Sequence, residues 1–184
     1  MSQTVQVNPL SYLGPYCIGE EHLRAGRLDQ SLEWLSKSIA LNPDYLSAQI
    51  SLGMIWASRG ESTKAIEHYR AALAKNPSAI GTRARPVSSL HNNLGLQLLQ
   101  VGHQEEAVEQ FRKAIEIFPR SLNAHLNLGN LALGERRFSE AVAEFEKAQA
   151  INPSSPAIRQ RLELARQYAQ QQAQSEDTPA PPSP

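Results

Sequence analysis

Residues 94–119 read LGLQLLQVGHQEEAVEQFRKAIEIFP and residues 128–153 read LGNLALGERRFSEAVAEFEKAQAINP. The two strings share a frame. Gly95, Ala107, Phe111, Ala114 and Pro119 in the first stand where Gly129, Ala141, Phe145, Ala148 and Pro153 stand in the second. Working outward, the frame recurs twice more towards the N-terminus. Gly19, Gly53, Gly95 and Gly129 are separated by 34, 42 and 34 residues, and so are Pro43, Pro77, Pro119 and Pro153. Between them lie Ser31, Ala65, Ala107 and Ala141, then Leu35, Tyr69, Phe111 and Phe145, then Ser38, Ala72, Ala114 and Ala148. Two series locked in one register, with the same eight-residue slip, mark an internal repeat.

The residue types suit a pair of helices. Leu90, Leu94, Leu98 and Val101 fall at helical spacing, as do Val108, Phe111, Ala114 and Ile115. Gly95 and Ala107 let two backbones approach, and Phe111 fills the space beside them. Gly26, Gly60 and Gly102 fall near the ends of first helices, where a left-handed C-cap suits glycine. Asn42-Pro43, Asn76-Pro77 and Asn152-Pro153 end second helices, because the residue before proline is pushed out of helix. One such pair cannot bury its own faces, so the repeats must stack.

On these residues the chain resembles the tetratricopeptide repeat (TPR) family, a 34-residue helix–turn–helix unit. Of 24 signature places in four repeats, 20 carry the expected type, and the departures (Ile18, Ser31, Leu35, Ser38) all fall in the first repeat. The implied fold is all-α: a right-handed TPR solenoid of four repeats, 12–155 (12–45, 46–79, 88–121 and 122–155, with an insertion at 80–87), and a C-terminal capping helix, 156–174. Residues 1–11 are expected to be irregular. The first helix is expected to start with Gly14 as cap and Pro15 at its first position. In the last helix Ile158, Leu162, Ala165 and Tyr168 mark one face, while Arg159, Arg161, Glu163 and Gln167 stay polar. Residues 175–184, with four prolines, predict a disordered tail.

Composition narrows the function. Hydrophobic residues make up 41% of the chain and charged residues 20%, enough for a core. Eighteen basic residues balance eighteen acidic ones, without the basic excess of a nucleic-acid binder. No apolar run approaches the roughly 20 residues of a membrane span, and the first residues lack a signal-peptide pattern. The expectation is a cytoplasmic protein with neither nucleic-acid partner nor membrane insertion. A single cysteine, Cys17, excludes an internal disulfide and a multi-thiolate zinc site. His91 and His125 occupy equivalent places and would make at most an incomplete metal site; His22, His68 and His103 show no pattern. No phosphate-cradling loop or nucleophile–base pair is evident, so neither catalysis, a metal nor a cofactor is expected.

The faces of the first helices carry the functional reading. In the resembled family these helices line the concave side. The free stripe is then Ser89, Asn92, Asn93, Leu96 and Gln100 in the third repeat, and Asn123, Asn127 and Asn130 with neighbouring Leu126 in the fourth. Ser47, Ile50, Ser51 and Met54, then Tyr16, Glu20 and Arg24, correspond in the earlier repeats. Five of nine asparagines crowd onto two helices, although asparagine costs a helix roughly 0.6 kcal/mol relative to alanine. An asparagine amide both donates and accepts, so it can pair with the main chain of an extended partner. The strings His91–Gly95 and His125–Gly129 are similar to the Asn-Leu-Gly repeats of the O-linked N-acetylglucosamine transferase superhelix. That likeness implies an asparagine ladder on Asn93 and Asn127, with Cys17 and Ser51 in the matching earlier places. The transferase's catalytic region has no counterpart here. The carboxylate clamp of chaperone-binding members of the family would need Lys, Asn, Asn, Lys and Arg at Tyr16, Glu20, Ser51, Ser89 and Asn93, and none matches. The expected function is a non-catalytic interaction module, an adaptor or assembly factor, holding an extended polypeptide on Asn92, Asn93, Asn123, Asn127, Asn130, Ser51, Ser89 and Leu96. The alternative is a scaffold that forms homo-oligomers through its terminal repeats.

Overall fold

The computed structural model describes residues 11–74 and 84–176. Residues 1–10 of the expected irregular segment, 80–83 of the insertion with Arg83, and 177–184 of the proline-rich tail lie outside the described residues. Among the described residues there are nine α-helices and no strand: α1 Leu13–Arg24, α2 Leu28–Leu41, α3 Leu46–Ser58, α4 Ser62–Ala74, α5 Ala84–Gln100, α6 Gln104–Ile117, α7 Leu122–Gly134, α8 Phe138–Ile151 and α9 Pro156–Glu176. The chain divides into two compact units, Met1–Gln110 and Phe111–Pro184. In the first unit α1 packs on α2, α2 on α3, α3 on α4 and α4 on α5; in the second, α7 packs on α8 and α8 on α9.

The glycine-to-ring series sets how closely the helices of a pair approach. A methyl group at Gly19 would lie 2.7 Å from Leu35 Cγ, and one at Gly129 would lie 2.6 Å from Phe145 Cε1; at Gly53 it would strike the Tyr69 ring. Leu35, Tyr69 and Phe145 are at most 1% exposed, and burial pushes the Tyr69 phenol up to about 12. Two departures of the first repeat, Ser31 and Ser38, are compensated by hydrogen bonds. Ser31 Oγ donates to the Gly19 carbonyl at 2.8 Å and Ser38 Oγ to that of Tyr12 at 2.9 Å, so two fully buried hydroxyls are satisfied.

All four intra-pair turns share one hydrogen-bonding motif. In the first turn the Gly26 N–H donates to the Leu23 carbonyl and the Arg27 N–H to that of His22. Gly60, Gly102 and Arg136 repeat the pattern with their own neighbours. The central residue must be left-handed: φ is +71° at Gly26, +75° at Gly60 and +83° at Gly102. The fourth turn holds the same conformation with Arg136, at φ +61°.

Three boundaries differ from expectation. Helix α1 begins at Leu13 with Tyr12 as its N-cap, so Pro15 is its third residue rather than its first. That position is tolerated because first-turn N–H groups have no acceptor within the helix. The described half of the insertion, Ala84 to Val87, is an added helical turn on α5, so this helix starts before the expected residue 88, anchored by Val87 at 1% exposure. Helix α9 runs to Glu176 and so takes in Ser175 and Glu176, the first two residues of the expected tail. It buries Ile158, Leu162 and Ala165. Glu163 stands where the repeats have glycine, and with Arg159 and Arg166 it keeps the other face polar and exposed.

Candidate functional site

Each repeat is counted from residue 12, 46, 88 or 122. The fourth and twenty-third places then form a polar bolt between the two helices of a pair. In the second repeat Gln49 Oε1 accepts from His68 Nδ1 at 2.7 Å. In the third, His91 Nδ1 faces Gln110 Oε1 at 2.8 Å, and in the fourth, His125 Nδ1 faces Glu144 Oε2 at 2.6 Å. The fourth-place residue also ties back to the signature proline before it. Gln49 Nε2 donates to the Pro43 carbonyl at 2.8 Å, and His125 Nε2 lies 3.1 Å from that of Pro119. Histidine and its acceptor change sides between repeats, which is why His68 shows no pattern by position alone. Burial lowers the pKa of His68. Burial pushes the Glu144 carboxyl up, but hydrogen bonds from His125 and Lys147 outweigh it and hold the carboxyl below its ordinary value. His91 and His125 thus each serve their own helix pair. Among the described residues no group of three or more His, Cys, Asp or Glu side chains could hold a metal ion.

The first helices also meet across repeats, at their ninth and sixth places. Ser51 Oγ donates to Glu20 Oε1 at 2.5 Å, joining α3 to α1. Arg161 Nη1 donates to Asn130 Oδ1 at 3.1 Å, joining α9 to α7 at the same two places. The ninth place of the second and third repeats holds apolar side chains instead: Met54 is 49% exposed and Leu96 36%.

The eight residues expected on the free faces divide unevenly. Ser89 and Leu96 on α5 and Asn123 and Asn130 on α7 are exposed, and Asn93 and Asn127 are half-buried. Ser51 is buried, its hydroxyl given to Glu20. Asn92 is a correction: it is 4% exposed and does not face solvent. It occupies the fifth place, held elsewhere by Tyr16, Ile50 and Leu126. Tyr16 and Leu126 pack against their units' cores, so the fifth place belongs to the core rim. Arg85 is exposed on α5.

The sequence profile of the family described as Tetratricopeptide repeat matches residues 17–80 and 92–156, most of the chain. The chain belongs to the tetratricopeptide repeat family. Among curated relatives, a DnaJ homolog subfamily C member 7 homolog of Schizosaccharomyces pombe is 25% identical over 154 residues, covering 79% of this chain and 32% of its own length. The type IV pilus assembly protein PilF of Pseudomonas aeruginosa is 27% identical over 150 residues, covering 80% and 56%. The barley protein SPINDLY, a probable UDP-N-acetylglucosamine–peptide N-acetylglucosaminyltransferase, is 26% identical over 124 residues, covering 67% of this chain and 13% of its own. The chain therefore spans roughly a third to a half of the first two and a small part of the third. Among solved structures, MamA superposes with a TM-score of 0.77 at 17% identity, covering 88% of this chain and 84% of its own. YrrB, described as a TPR protein with an unusual peptide-binding site, superposes with a TM-score of 0.72 at 15% identity, covering 89% and 80%. These likenesses establish the fold. No helix among the described residues is long and apolar enough to cross a membrane.

Proposed function

We propose that the chain is a non-catalytic adaptor or assembly factor that binds an extended polypeptide on the exposed faces of its first helices. The observation that carries the reading is the ninth place, where Met54 and Leu96 stand open to solvent while Glu20 and Asn130 are engaged by the next helix. An exposed apolar side chain beside asparagine amides offers a partner both burial and main-chain hydrogen bonds. In the first unit the face consists of Met54 with Ser89, Asn93 and Leu96; in the second it consists of Asn123 and Asn127, flanked by Asn130, whose Oδ1 already accepts from Arg161. Support also comes from YrrB, whose description names peptide binding on the same fold, and from PilF, whose name is that of an assembly protein. The test is the affinity for a peptide from a partner recovered by pull-down, measured with wild type, Asn93→Ala, Asn127→Ala and Met54→Glu. Loss of each asparagine amide is expected to cost about 0.5–1.5 kcal/mol, largely independent of salt because the contacts are uncharged. Unchanged affinity in all three variants would overturn the reading.

Self-association of the first helix pair is the second reading, favoured by the exposed Ile18 and Leu41. Light scattering decides it: a mass that rises with concentration, and that Ile18→Ser/Leu41→Ser abolishes, supports the scaffold, and a constant monomer mass rejects it.

A further inference from the structure

In the second unit three departures from the repeat converge on one cavity. The fifteenth place is Gly26, Gly60 and Gly102 in the first three repeats and Arg136 in the fourth; the seventeenth is Leu28, Ser62 and Gln104, then Phe138. The third departure is Tyr168, an aromatic ring left 40% exposed on the terminal helix α9. Its centroid lies 5.3 Å from that of Phe138, with the rings inclined by 30°. Together with Leu133, Gln171 and Gln172 these residues line an open cavity of about 420 Å³, within the usual size range of ligand sites.

Arg136 is the unusual member. A non-glycine residue at φ +61° is strained, and arginine has no side-chain bond to its own backbone to offset that strain. Its neighbour Arg137 is neutralised by Glu135 and Glu140. No ion pair or hydrogen bond to the Arg136 guanidinium is found among the described residues. A strained residue that keeps a free cation beside two aromatic rings, where glycine serves three other turns, calls for an occupant with a negative charge and an apolar body. The Gln171 and Gln172 side chains farther along α9 extend the polar rim.

We propose that this cavity binds a segment of a partner protein that presents a carboxylate beside an aromatic or branched apolar side chain. The site is separate from the first-helix faces, so its fate is independent of theirs. The probe is a fluorescein-labelled Gly-Ser-Gly-Ser-Leu-Phe peptide with a free C-terminal carboxylate, titrated against the full chain to about 1 mM, with amide chemical shifts followed by NMR. The expected result is saturable binding with shifts confined to residues 133–138 and 168–172. Arg136→Gly should weaken binding about tenfold or more while raising the melting temperature by about 2–4 °C, because glycine relieves the left-handed strain. Amidating the peptide terminus should weaken binding as much as Arg136→Gly does. Several outcomes would overturn the proposal: no binding at the highest concentration, equal affinity for Arg136→Gly, or shifts centred on Asn123 and Asn127. Free N-acetylphenylalanine binding as tightly as the peptide would make it a small-acid site. A tenfold rise in affinity on deleting residues 177–184 would make the occupant the chain's own segment.

Discussion

His125 places Nδ1 2.6 Å from the Glu144 carboxylate and Nε2 3.1 Å from the Pro119 carbonyl oxygen, with 3% of its surface exposed. The Pro119 carbonyl oxygen and the ionised Glu144 carboxylate are both acceptors for the ring. One side chain thus fastens the turn entering the fourth repeat to the second helix of that repeat.

His125→Ala leaves the Pro119 carbonyl and a Glu144 oxygen without this donor and should cost about 1–3 kcal/mol. The double variant His125→Gln/Glu144→His recreates the arrangement seen at Gln49 and His68. It should recover most of the loss relative to His125→Gln alone. Urea unfolding of all four proteins checks this; a double variant no better than the single one would mean that the bolt is not interchangeable.

The fourth repeat should also carry an acid-sensitive term. The folded Glu144 pKa lies below its ordinary 4.5. A depressed carboxylate contributes stability above the unfolded pKa and loses it as pH falls through the folded value. Melting temperatures taken downward from about pH 6 should therefore fall more steeply for wild type than for Glu144→Gln. Parallel curves would show that the His125 and Lys147 bonds do not favour the ionised form.

Two glycines of one helix should respond with opposite signs. Gly129→Ala forces a methyl group against the fully buried Phe145 ring, and overpacking of this kind costs about 1–3 kcal/mol. Gly134→Ala meets nothing within 4 Å at the end of α7 and should stabilise by about 0.5–1 kcal/mol. Thermal denaturation of the two variants, side by side, is sufficient.

Asn92 and Ser89 are three residues apart on α5 but belong to different environments. Asn92→Arg should cost more than about 1 kcal/mol, because it drives a charge into the core rim. Ser89→Arg should stay within about 0.5 kcal/mol. Similar costs at both positions would mean that the α5 faces are misassigned.

The fold was legible because its geometry is written in residue sizes. Gly53 and Tyr69, or Gly129 and Phe145, are contacts that only small and large side chains can make, and they recur in one frame. Boundaries were less legible. Pro15 looks like a helix start, yet it sits at the third position of a helix, where a missing N–H does no harm. Asn92 was misread by its chemistry, although alignment with Tyr16, Ile50 and Leu126 marks a place for bulk. His68 was passed over because its partner Gln49 lies on the opposite helix from the acceptors of His91 and His125. Only pairing across helices reveals the rule. Nothing in residue order signals that Ser51 gives its hydroxyl to Glu20, or that the Arg136 turn, the Phe138 ring and the Tyr168 ring share a cavity.

The single reversal of the bolts, between the second and third repeats, bears on how the chain avoids misassembly. Repeated helices of similar size invite the wrong neighbours to dock while the chain folds, and this is a characteristic failure of repeat proteins. If α4 captured α5 or α7 in place of α3, His68 would confront His91 or His125, two imidazoles in place of a donor and an amide oxygen. If α8 captured α3, Glu144 would meet the Gln49 carbonyl that faces His68 in the native pair, acceptor against acceptor. The pairing of acceptor against acceptor desolvates polar groups without satisfying them, which a near-identical hydrophobic seam could not penalise, whereas two neutral imidazoles still share one hydrogen bond. The reversed order in the second repeat therefore distinguishes α3 and α4 from the helices of the two later pairs.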